Sequence, residues 1–325
     1  MYTDHTIIIL HNQVRQDSPE DVLDIERQAK WVAEILQAKG YKTLMVPFSM
    51  ESLSMLETMN SSHPLLVFNL VDSAPAEENL AYLVPGILEH MGLPYTGCSL
   101  HNLYLTTNKM LAKRLLKAAG IATPPWICKG ETEALQDRSI KRFIIKPISE
   151  DASIGLDESS IVDGKATLLA LQQKEEALGS ACFAEAFIEG REFTACMHGM
   201  QEACTVLTPY EWVFQGYEEH KKEKIITYDA KWTENSFGFE HIVAKYQADE
   251  RDLPLLEELT QIARACWKAF DLTGYARVDF RIDERGKPWV LEVNCNPSFY
   301  GFYHLALEGG FSFDDLVQGI VEQVR

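Results

Sequence analysis

Residues 274–297 combine acidic, amide and basic side chains in a pattern that suits metal and phosphate chemistry. The alternation of apolar and polar residues predicts two β-strands joined by a polar turn. Because side chains of a strand point alternately to opposite faces, Arg277 and Asp279 share one face of the first strand. Glu292 and Asn294 share one face of the second. All four side chains are therefore expected on the same face of one hairpin.

The position of the turn decides which of these residues face each other. A turn centred at 285–286 would pair Asp279 with Glu292 and Arg277 with Asn294. Opposed carboxylates repel unless a cation neutralises them, and either Arg277 or a divalent metal ion could do so. Oxygen ligands of this kind suit Mg²⁺ or Mn²⁺. On spacing alone, a solvated charged surface is an equally good interpretation.

The composition is that of a globular protein that handles small molecules. The chain has 325 residues, of which 46% are hydrophobic, enough for two or three packed units. A net charge of -18 argues against nucleic acid as a partner. The seven cysteines form no Cys-x-x-Cys pair, so we expect buried thiols. No apolar run approaches the roughly 20 residues of a membrane span, and no signal peptide is evident, so we expect a cytoplasmic protein without membrane contact.

The first hundred residues predict an α/β unit with an open parallel sheet. Apolar runs at 6–10, 41–46 and 65–70 alternate with helical patterns at 20–39, 51–60 and 78–91. Functional loops of such a unit follow the carboxyl ends of the strands, where Asp72 lies. No Gly-x-Gly-x-x-Gly occurs there, so a dinucleotide site is not expected.

Two further units of mixed helices and strands are predicted, with boundaries at about 101–188 and 189–325. In the first of them, strand 143–146 ends at Lys146 beside a loop of small residues, 149–155. Such a loop can approach a phosphate, although a solvated lysine is the commoner outcome. The other predicted elements are helices at 106–119, 166–176, 254–270 and 312–324 and strands at 182–188, 194–198 and 204–207.

A series of short segments occurs in a specific order along nearly the whole chain. The segments are 94–97, 108–109, 120–124, 146–147, 153–155, 188–192, 228–231, 276–279 and 291–294. Their order resembles the ATP-grasp superfamily and, within it, the D-alanine–D-alanine ligase family. The resemblance implies a mixed α/β (α+β) fold, in which an amino-terminal parallel α/β domain at 1–100 precedes two α+β units that clamp ATP.

By this resemblance, the residues expected to contact ATP are Lys109, Lys146, Glu185, Phe187, Ile188, Glu192 and Lys231. The first two lysines would lie at the phosphates or the adenine edge, and Lys231 would reach the terminal phosphate. Glu192 would bind the ribose. The remaining three would line the adenine pocket, although hydrophobicity alone favours Phe187 and Ile188 as strand core.

The resemblance also implies how the hairpin acts. The metal ligands would be Asp279, Glu292 and Asn294, holding two Mg²⁺ ions, with Mn²⁺ as an alternative. The catalytic group would be Arg277, Lys231 and Ser153. A substrate carboxylate would attack the terminal phosphate of ATP to form an acyl phosphate. An amine would then displace phosphate and leave an amide or dipeptide bond.

The substrate-binding positions depart from the family pattern. The family's Gly-rich loop with an amine-binding Glu has no counterpart at 10–14, its His-Gly loop becomes 72–75, and Ala152 replaces a usual Ser. The segment 298–303 replaces the one that holds the acceptor's carboxylate. Residues expected at the substrates are Asp72, Trp232, Asn296, Ser298 and Tyr303. Because the ATP and metal positions are retained, we expect the same chemistry on a different substrate pair.

Aromatic residues of the divergent segments could enlarge the substrate pocket, although packing is their commoner role. The expected partners are small carboxylates and amines of the amino-acid type, and a homodimer is allowed. Ring closure within one molecule, ligation to a peptide, and a nucleotide-binding regulator without turnover stay open as alternatives.

Overall fold

The computed structural model describes residues 6–15, 17–62, 65–72, 80–149, 153–200 and 203–324. These residues form three β-sheets with helices packed around them. Ala152 and positions 73–75, on which two sequence interpretations rest, lie outside the described residues.

A three-stranded parallel sheet with the order β2-β1-β3 lies nearest the amino end. Its strands are β1 (Thr6–His11), β2 (Lys42–Pro47) and β3 (Leu65–Asn69), and its helices are α1 (Glu20–Ala38), α2 (Met50–Ser62) and α3 (Leu83–His90). The predicted alternation is confirmed because the apolar run of β1 is buried between two layers of helices. The helix predicted at 78–91 begins at Leu83 and ends at His90, and residues 78 and 79 lie outside the described residues.

A four-stranded antiparallel sheet with the order β4-β7-β5-β6 follows. Its strands are β4 (Trp126–Ile127), β5 (Arg142–Pro147), β6 (Ile161–Asp163) and β7 (Cys182–Ala186), and the helices of this part are α4 (Leu100–Thr107), α5 (Lys109–Ala118) and α6 (Thr167–Leu178). The carboxamide of Asn108 caps α5 by accepting from the N–H groups of Met110 and Leu111. Strands β4 and β6 were not predicted, since two or three residues are too few to show an alternation.

A six-stranded sheet has the order β11-β10-β8-β12-β13, with β9 paired to β8. Its strands are β8 (Arg191–Met200), β9 (Ala203–Val206), β10 (Tyr210–Phe214), β11 (Ile242–Lys245), β12 (Gly274–Ile282) and β13 (Pro288–Asn294). The helices of this part are α7 (Tyr228–Trp232), α8 (Phe237–His241), α9 (Leu253–Ala269), α10 (Tyr300–Gly309) and α11 (Phe313–Glu322). The sequence analysis had not predicted β10, β11, α7, α8 or α10.

The predicted pairing of the hairpin β12–β13 is confirmed. Asp279 pairs with Glu292 and Arg277 pairs with Asn294. From Phe280 toward the turn, however, the register is shifted by one residue, so that Ile282 pairs with Pro288. A β-bulge at Leu291 absorbs this extra residue, and both Leu291 and Glu292 line the same cavity. The bulge thus lies next to Glu292, which still pairs with Asp279.

The hydrophobic cores are shared between the sheets. One cluster joins Ile7 and Val32 of the first sheet and its helices to Tyr275, Phe302 and Val317 near the carboxyl end. Six of the seven cysteines are buried, as expected. Among the described helices, none is long and apolar enough to cross a membrane.

A glycine contact fixes where β12 begins. Gly274 has a φ of +74°, and a Cβ atom there would lie 2.4 Å from the carbonyl oxygen of Gly97. Only glycine permits this approach. The hairpin β12–β13 is therefore anchored directly against the segment 94–97.

Candidate active site

Two cavities meet beside the hairpin. The small cavity, of about 110 Å³, lies between the second and third sheets, and the large cavity, of about 1070 Å³, lies between the third sheet and α1. Both are lined by Trp212, Ile226, Lys231 and Arg277. The two cavities therefore share one wall at these four residues.

The structure brings the predicted nucleotide and catalytic residues together around the small cavity. It is lined by Lys146, Ser153, Glu185, Phe187, Ile188, Glu192, Lys231, Arg277, Asp279 and Glu292. Phe187 and Ile188 lie just beyond the end of β7 and are half-buried, so they are not strand core. Lys109 is not part of this lining, although its charge acts on Glu292.

The hairpin residues form one charge cluster. The Arg277 guanidinium donates to Asp279, with Nη2 at 2.9 Å from Oδ2, and lies 3.5 Å from Glu292 Oε1. The hydroxyl of Thr194 donates to Asp279 Oδ1 at 2.7 Å. Asn294 Oδ1 accepts from the backbone N–H of Asn296 at 2.8 Å, which orients its carboxamide. Two carboxylates and an amide oxygen are a donor set that fits Mg²⁺.

The two carboxylates differ in their protonation. Burial raises the pKa of Asp279 to about 6, against the attraction of Arg277. Burial also opposes ionisation of Glu292, but the positive charges of Lys109, Arg277, Lys231 and Lys146 lower its pKa to about 2. Glu292 is thus the permanently charged member of the pair, and Asp279 is the member that gains most from a bound cation.

A stability measurement tests this difference. Between pH 4 and pH 6 the folded chain holds a proton on Asp279 that the unfolded chain has released, so stability falls as the pH rises through this window. We expect Asp279→Asn to raise the unfolding free energy by about 1 to 3 kcal/mol at pH 7.5 without divalent metal, and to change little at pH 4. Thermal unfolding of both chains at pH 4 and at pH 7.5 measures this change in unfolding free energy.

The matched control is Asp283→Asn in the turn of the same hairpin. Although burial opposes ionisation there, hydrogen bonds from Trp289 and the backbone lower the pKa of Asp283. Asp283→Asn should therefore lower the free energy of unfolding at pH 7.5. Equal melting of Asp279→Asn and the unchanged chain at pH 7.5 would contradict the assignment of an unfavourable carboxylate. Mg²⁺ should raise the melting temperature of the unchanged chain more than that of Asp279→Asn.

A buried network that the sequence analysis missed supports the predicted residues Glu185 and Lys146. Glu185 is 1% exposed and binds Lys113 Nζ at 2.6 Å through Oε2 and Lys146 Nζ at 2.6 Å through Oε1. Lys113 also donates to the Thr123 hydroxyl at 2.8 Å. Burial opposes the ionisation of Glu185, yet the ammonium groups of Lys113 and Lys146 hold its pKa below the usual range. Lys113 follows Lys109 by one helical turn, so both lysines are expected on the same face of the helix. This spacing was the sequence feature that could have indicated the network.

A second missed residue, Arg281, is buried against Glu192, the residue predicted to bind the ribose. Its guanidinium donates to Glu192 Oε2 at 2.8 Å and to the carbonyl of Gly190 at 3.3 Å, and it is 4% exposed. It also donates to the carbonyl of Lys224. The strand alternation that placed Arg277 and Asp279 on one face places Arg281 there as well.

The loop that carries Ser153 and the segment 225–232 touch each other beside the small cavity. The Ser153 hydroxyl donates to the carbonyl of Ile226 at 2.9 Å, from a left-handed backbone with φ of 64°. The Tyr228 hydroxyl donates to Asp21 of α1 at 3.0 Å. With these contacts in place, the small cavity is well below the 300–1,000 Å³ of typical ligand sites.

Most predicted substrate residues line the large cavity. These are Asp72, Trp232, Asn296 and Ser298, together with the metal-ligand candidate Asn294. Tyr303 lies elsewhere: its ring packs edge-on against Trp31, with centroids 4.9 Å apart, and it is not part of the lining. Tyr300 lines the cavity in place of Tyr303, because helix α10 directs the two side chains differently. The sequence analysis did not predict a helix at 298–303 and so could not separate the two tyrosines.

Comparisons with known proteins show which family this chain resembles. The family model for the D-ala D-ala ligase C-terminus matches residues 115–322. The D-alanine–D-alanine ligase of Carboxydothermus hydrogenoformans is 30% identical over 88% of this chain and 88% of its own. A protein of Sinorhizobium fredii, described as uncharacterized protein y4sG, is 31% identical over 91% of this chain and 87% of its own.

Solved structures show the same fold. The D-alanyl-alanine synthetase A of Vibrio cholerae superposes with a TM-score of 0.73 at 16% identity, covering 99% of this chain and 98% of its own. The D-alanine–D-alanine ligase of Bacillus anthracis complexed with ATP superposes with a TM-score of 0.68 at 20% identity, covering 98% and 97%. The chain therefore belongs to the D-alanine–D-alanine ligase family and is an ATP-grasp, ATP-binding ligase of the class that forms carbon–nitrogen bonds.

Proposed function

We propose that this protein is an ATP- and Mg²⁺-dependent carboxylate–amine ligase that works through an acyl phosphate on a substrate pair other than two D-alanines. The observation that carries the proposal is the meeting of the two cavities at Lys231 and Arg277. A nucleotide in the small cavity and a carboxylate in the large one would present their reacting atoms to the same two cations. This is the arrangement that phosphoryl transfer to a carboxylate needs.

The side chains of the cluster have separable tasks. Asp279, Glu292 and Asn294 would hold the magnesium, which when bound neutralises charge on the transferring phosphoryl group. Arg277 is held by Asp279 and Glu292, so its guanidinium is positioned before substrates bind. Burial lowers the pKa of Lys231 at the meeting point of the two cavities, and the repulsion of Arg277 adds to this shift. A carboxylate is drawn to this point.

The residues of the large cavity support a different substrate pair. Its volume of about 1070 Å³ lies at the upper end of sites that hold drug-sized ligands. Asp72, fixed by a hydrogen bond from the Asn12 carboxamide, stands at a position where the family's pattern differs. Trp232 and Tyr300 add aromatic surface. A pocket of this kind suits substrates bulkier than alanine.

The test is phosphate release from ATP and Mg²⁺ in the presence of paired carboxylates and amines. We expect turnover to require both partners and to be slow with D-alanine alone. Hydroxylamine should replace the amine and yield a hydroxamate, because it attacks an acyl phosphate. Mass spectrometry of the products separates free amino-acid acceptors from peptide acceptors and ring closure.

The control is the same assay with Arg277→Lys, which keeps the charge but loses the paired geometry with Asp279. Hydroxamate formation should fall by at least tenfold in this variant. Folded, ATP-binding protein that releases no phosphate with any pair would overturn the proposal and favour a nucleotide-binding regulator.

A further inference from the structure

A row of hydrogen bonds crosses the third sheet and ends at the metal-ligand candidate Asp279. The indole Nε1–H of Trp212 on β10 donates to the Thr194 hydroxyl on β8 at 3.0 Å. That hydroxyl donates in turn to Oδ1 of Asp279 on β12 at 2.7 Å. Because β10, β8 and β12 are neighbours in the sheet, the row is built on three paired strands rather than on a loop.

The chemistry of the groups fixes the direction of both hydrogen bonds. An indole N–H can only donate, whereas a hydroxyl carries one proton and accepts through its oxygen. Because the Trp212 N–H points at the hydroxyl oxygen, the single hydroxyl proton of Thr194 is directed to Asp279. Thr194 is 1% exposed, so water has little access to this proton. The indole thus sets the orientation of the hydroxyl that holds Asp279.

Asp279 is held at both of its carboxylate oxygens. Oδ1 accepts from Thr194, and Oδ2 accepts from Arg277 Nε at 3.1 Å and Nη2 at 2.9 Å. Hydrogen bonds to a metal-binding carboxylate fix its orientation, so that less side-chain freedom is lost when the ion binds. Arg277 provides this support on one side, and the pair of Trp212 and Thr194 provides it on the other.

The indole lies in the wall that the two cavities share. Trp212 lines both cavities, and its ring packs edge-on against Tyr210, with centroids 5.5 Å apart. This contact fixes the plane of the ring and with it the direction of the N–H group. The side chain therefore has two separable features, which are a ring surface toward the cavities and an N–H group toward Thr194.

We propose that Trp212 is a positioning residue of the metal site, which acts through Thr194 to orient the Asp279 carboxylate for Mg²⁺. The inference rests on the proposed function, because it takes Asp279 as a ligand of the Mg²⁺ that serves phosphoryl transfer. In this role the indole does not bind the ion. It limits the orientations open to a side chain that does.

The test measures Mg²⁺ binding in the absence of turnover. Mg²⁺ would be titrated by calorimetry into full-length protein that is in excess over a non-hydrolysable ATP analogue, so that little free analogue competes for the metal. Trp212→Phe removes the N–H group and keeps an aromatic ring toward both cavities. We expect the Kd of Mg²⁺ to rise by about tenfold, as when a metal ligand loses the group that orients it.

Trp289→Phe is the matched control. The Trp289 indole donates to Asp283 Oδ2 at 3.0 Å, so the same substitution breaks the same kind of hydrogen bond at the turn of the hairpin β12–β13. Neither Trp289 nor Asp283 is among the described residues that line the two cavities. The Kd of Mg²⁺ should stay within about twofold of that of the unchanged chain. Equal effects of Trp212→Phe and Trp289→Phe would overturn the proposal.

A double-variant cycle separates the hydrogen bonds from the packing of the ring. Thr194→Val removes the hydroxyl at nearly constant volume and should raise the Kd of Mg²⁺ at least as much as Trp212→Phe does, whereas Thr194→Ser keeps the hydroxyl and should have a smaller effect. In the Thr194→Val background, Trp212→Phe should add less than twofold, because the indole acts through the hydroxyl. Fully additive effects would show that Trp212 acts by packing and would overturn the proposal.

Phosphate release separates this inference from the ligase function. Tenfold weaker Mg²⁺ binding by Trp212→Phe, in a protein that releases no phosphate with any carboxylate and amine, would keep the positioning role and overturn the ligase. Phosphate release by the unchanged chain, with Mg²⁺ bound equally well by Trp212→Phe, would keep the ligase and overturn the positioning role. Thermal unfolding checks that each variant is folded, and Trp212→Leu, which also lacks the N–H group, is the second variant for the same comparison.

Discussion

Glu292→Gln is expected to lower kcat for phosphate release by at least a hundredfold, which corresponds to about 2.7 kcal/mol of lost transition-state stabilisation. The substitution keeps the shape of the side chain and its place opposite Asp279 in the hairpin. It removes a carboxylate whose pKa, about 2 despite burial, keeps it charged at every working pH. The loss should therefore fall on metal binding and phosphoryl transfer, and only weakly on folding.

The measurement is steady-state phosphate release over a range of Mg²⁺ concentrations, beside thermal unfolding. Glu284→Gln is the matched control, because the same substitution is made at an exposed position in the turn of the same hairpin. It should leave kcat within twofold. Near-normal turnover of Glu292→Gln would contradict the metal assignment, and so would a loss explained by unfolding at the assay temperature.

Lys113→Met is expected to give the largest loss of stability among single substitutions in the buried network around Glu185. Its ammonium is 1% exposed and binds Glu185, which is also 1% exposed. Removing one partner of a buried ion pair costs about 3 to 5 kcal/mol. Because Lys146 would still pair with Glu185, we expect a decrease of about 3 kcal/mol in the free energy of unfolding. Denaturant titration measures it.

Lys117→Met serves as the control, since Lys117 lies one turn further along the same helix at an exposed position over the Trp126 ring. Its effect should be about 0.5 kcal/mol. The double variant Lys113→Met with Glu185→Met should recover part of the loss, because fewer charges stay buried without a partner. If Lys113→Met unfolds like Lys117→Met, the buried pair does not contribute net stability.

The sequence was informative wherever a short-range period governs the structure. The strand alternation was enough to predict that Asp279 would pair with Glu292, and the three helix–strand repeats of the first hundred residues were visible as apolar runs. The order of the motifs was enough to indicate the family, which the match over residues 115–322 confirms. The domain boundaries and the individual roles of the site residues stay predictions.

Other features depended on contacts that no local pattern carries. Strand β10 has five residues and is held between β8 and β11, so its existence follows from its neighbours rather than from its own periodicity. Lys113 and Arg281 look like ordinary surface cations in the sequence, and only their burial against Glu185 and Glu192 shows that they organise the site.

The hairpin β12–β13 shows most clearly which features the sequence determined and which the tertiary structure decided. The chemical types of Arg277, Asp279 and Glu292, and their spacing of two residues or across a turn, are properties of the sequence by itself, because covalent geometry sets the period of a strand. The bulge at Leu291 that restores their pairing, the unequal pKa values of Asp279 and Glu292, and the junction of two cavities at Arg277 were decided by the tertiary structure. Burial and long-range charge depend on residues far apart in the chain, which meet only when the three sheets pack together.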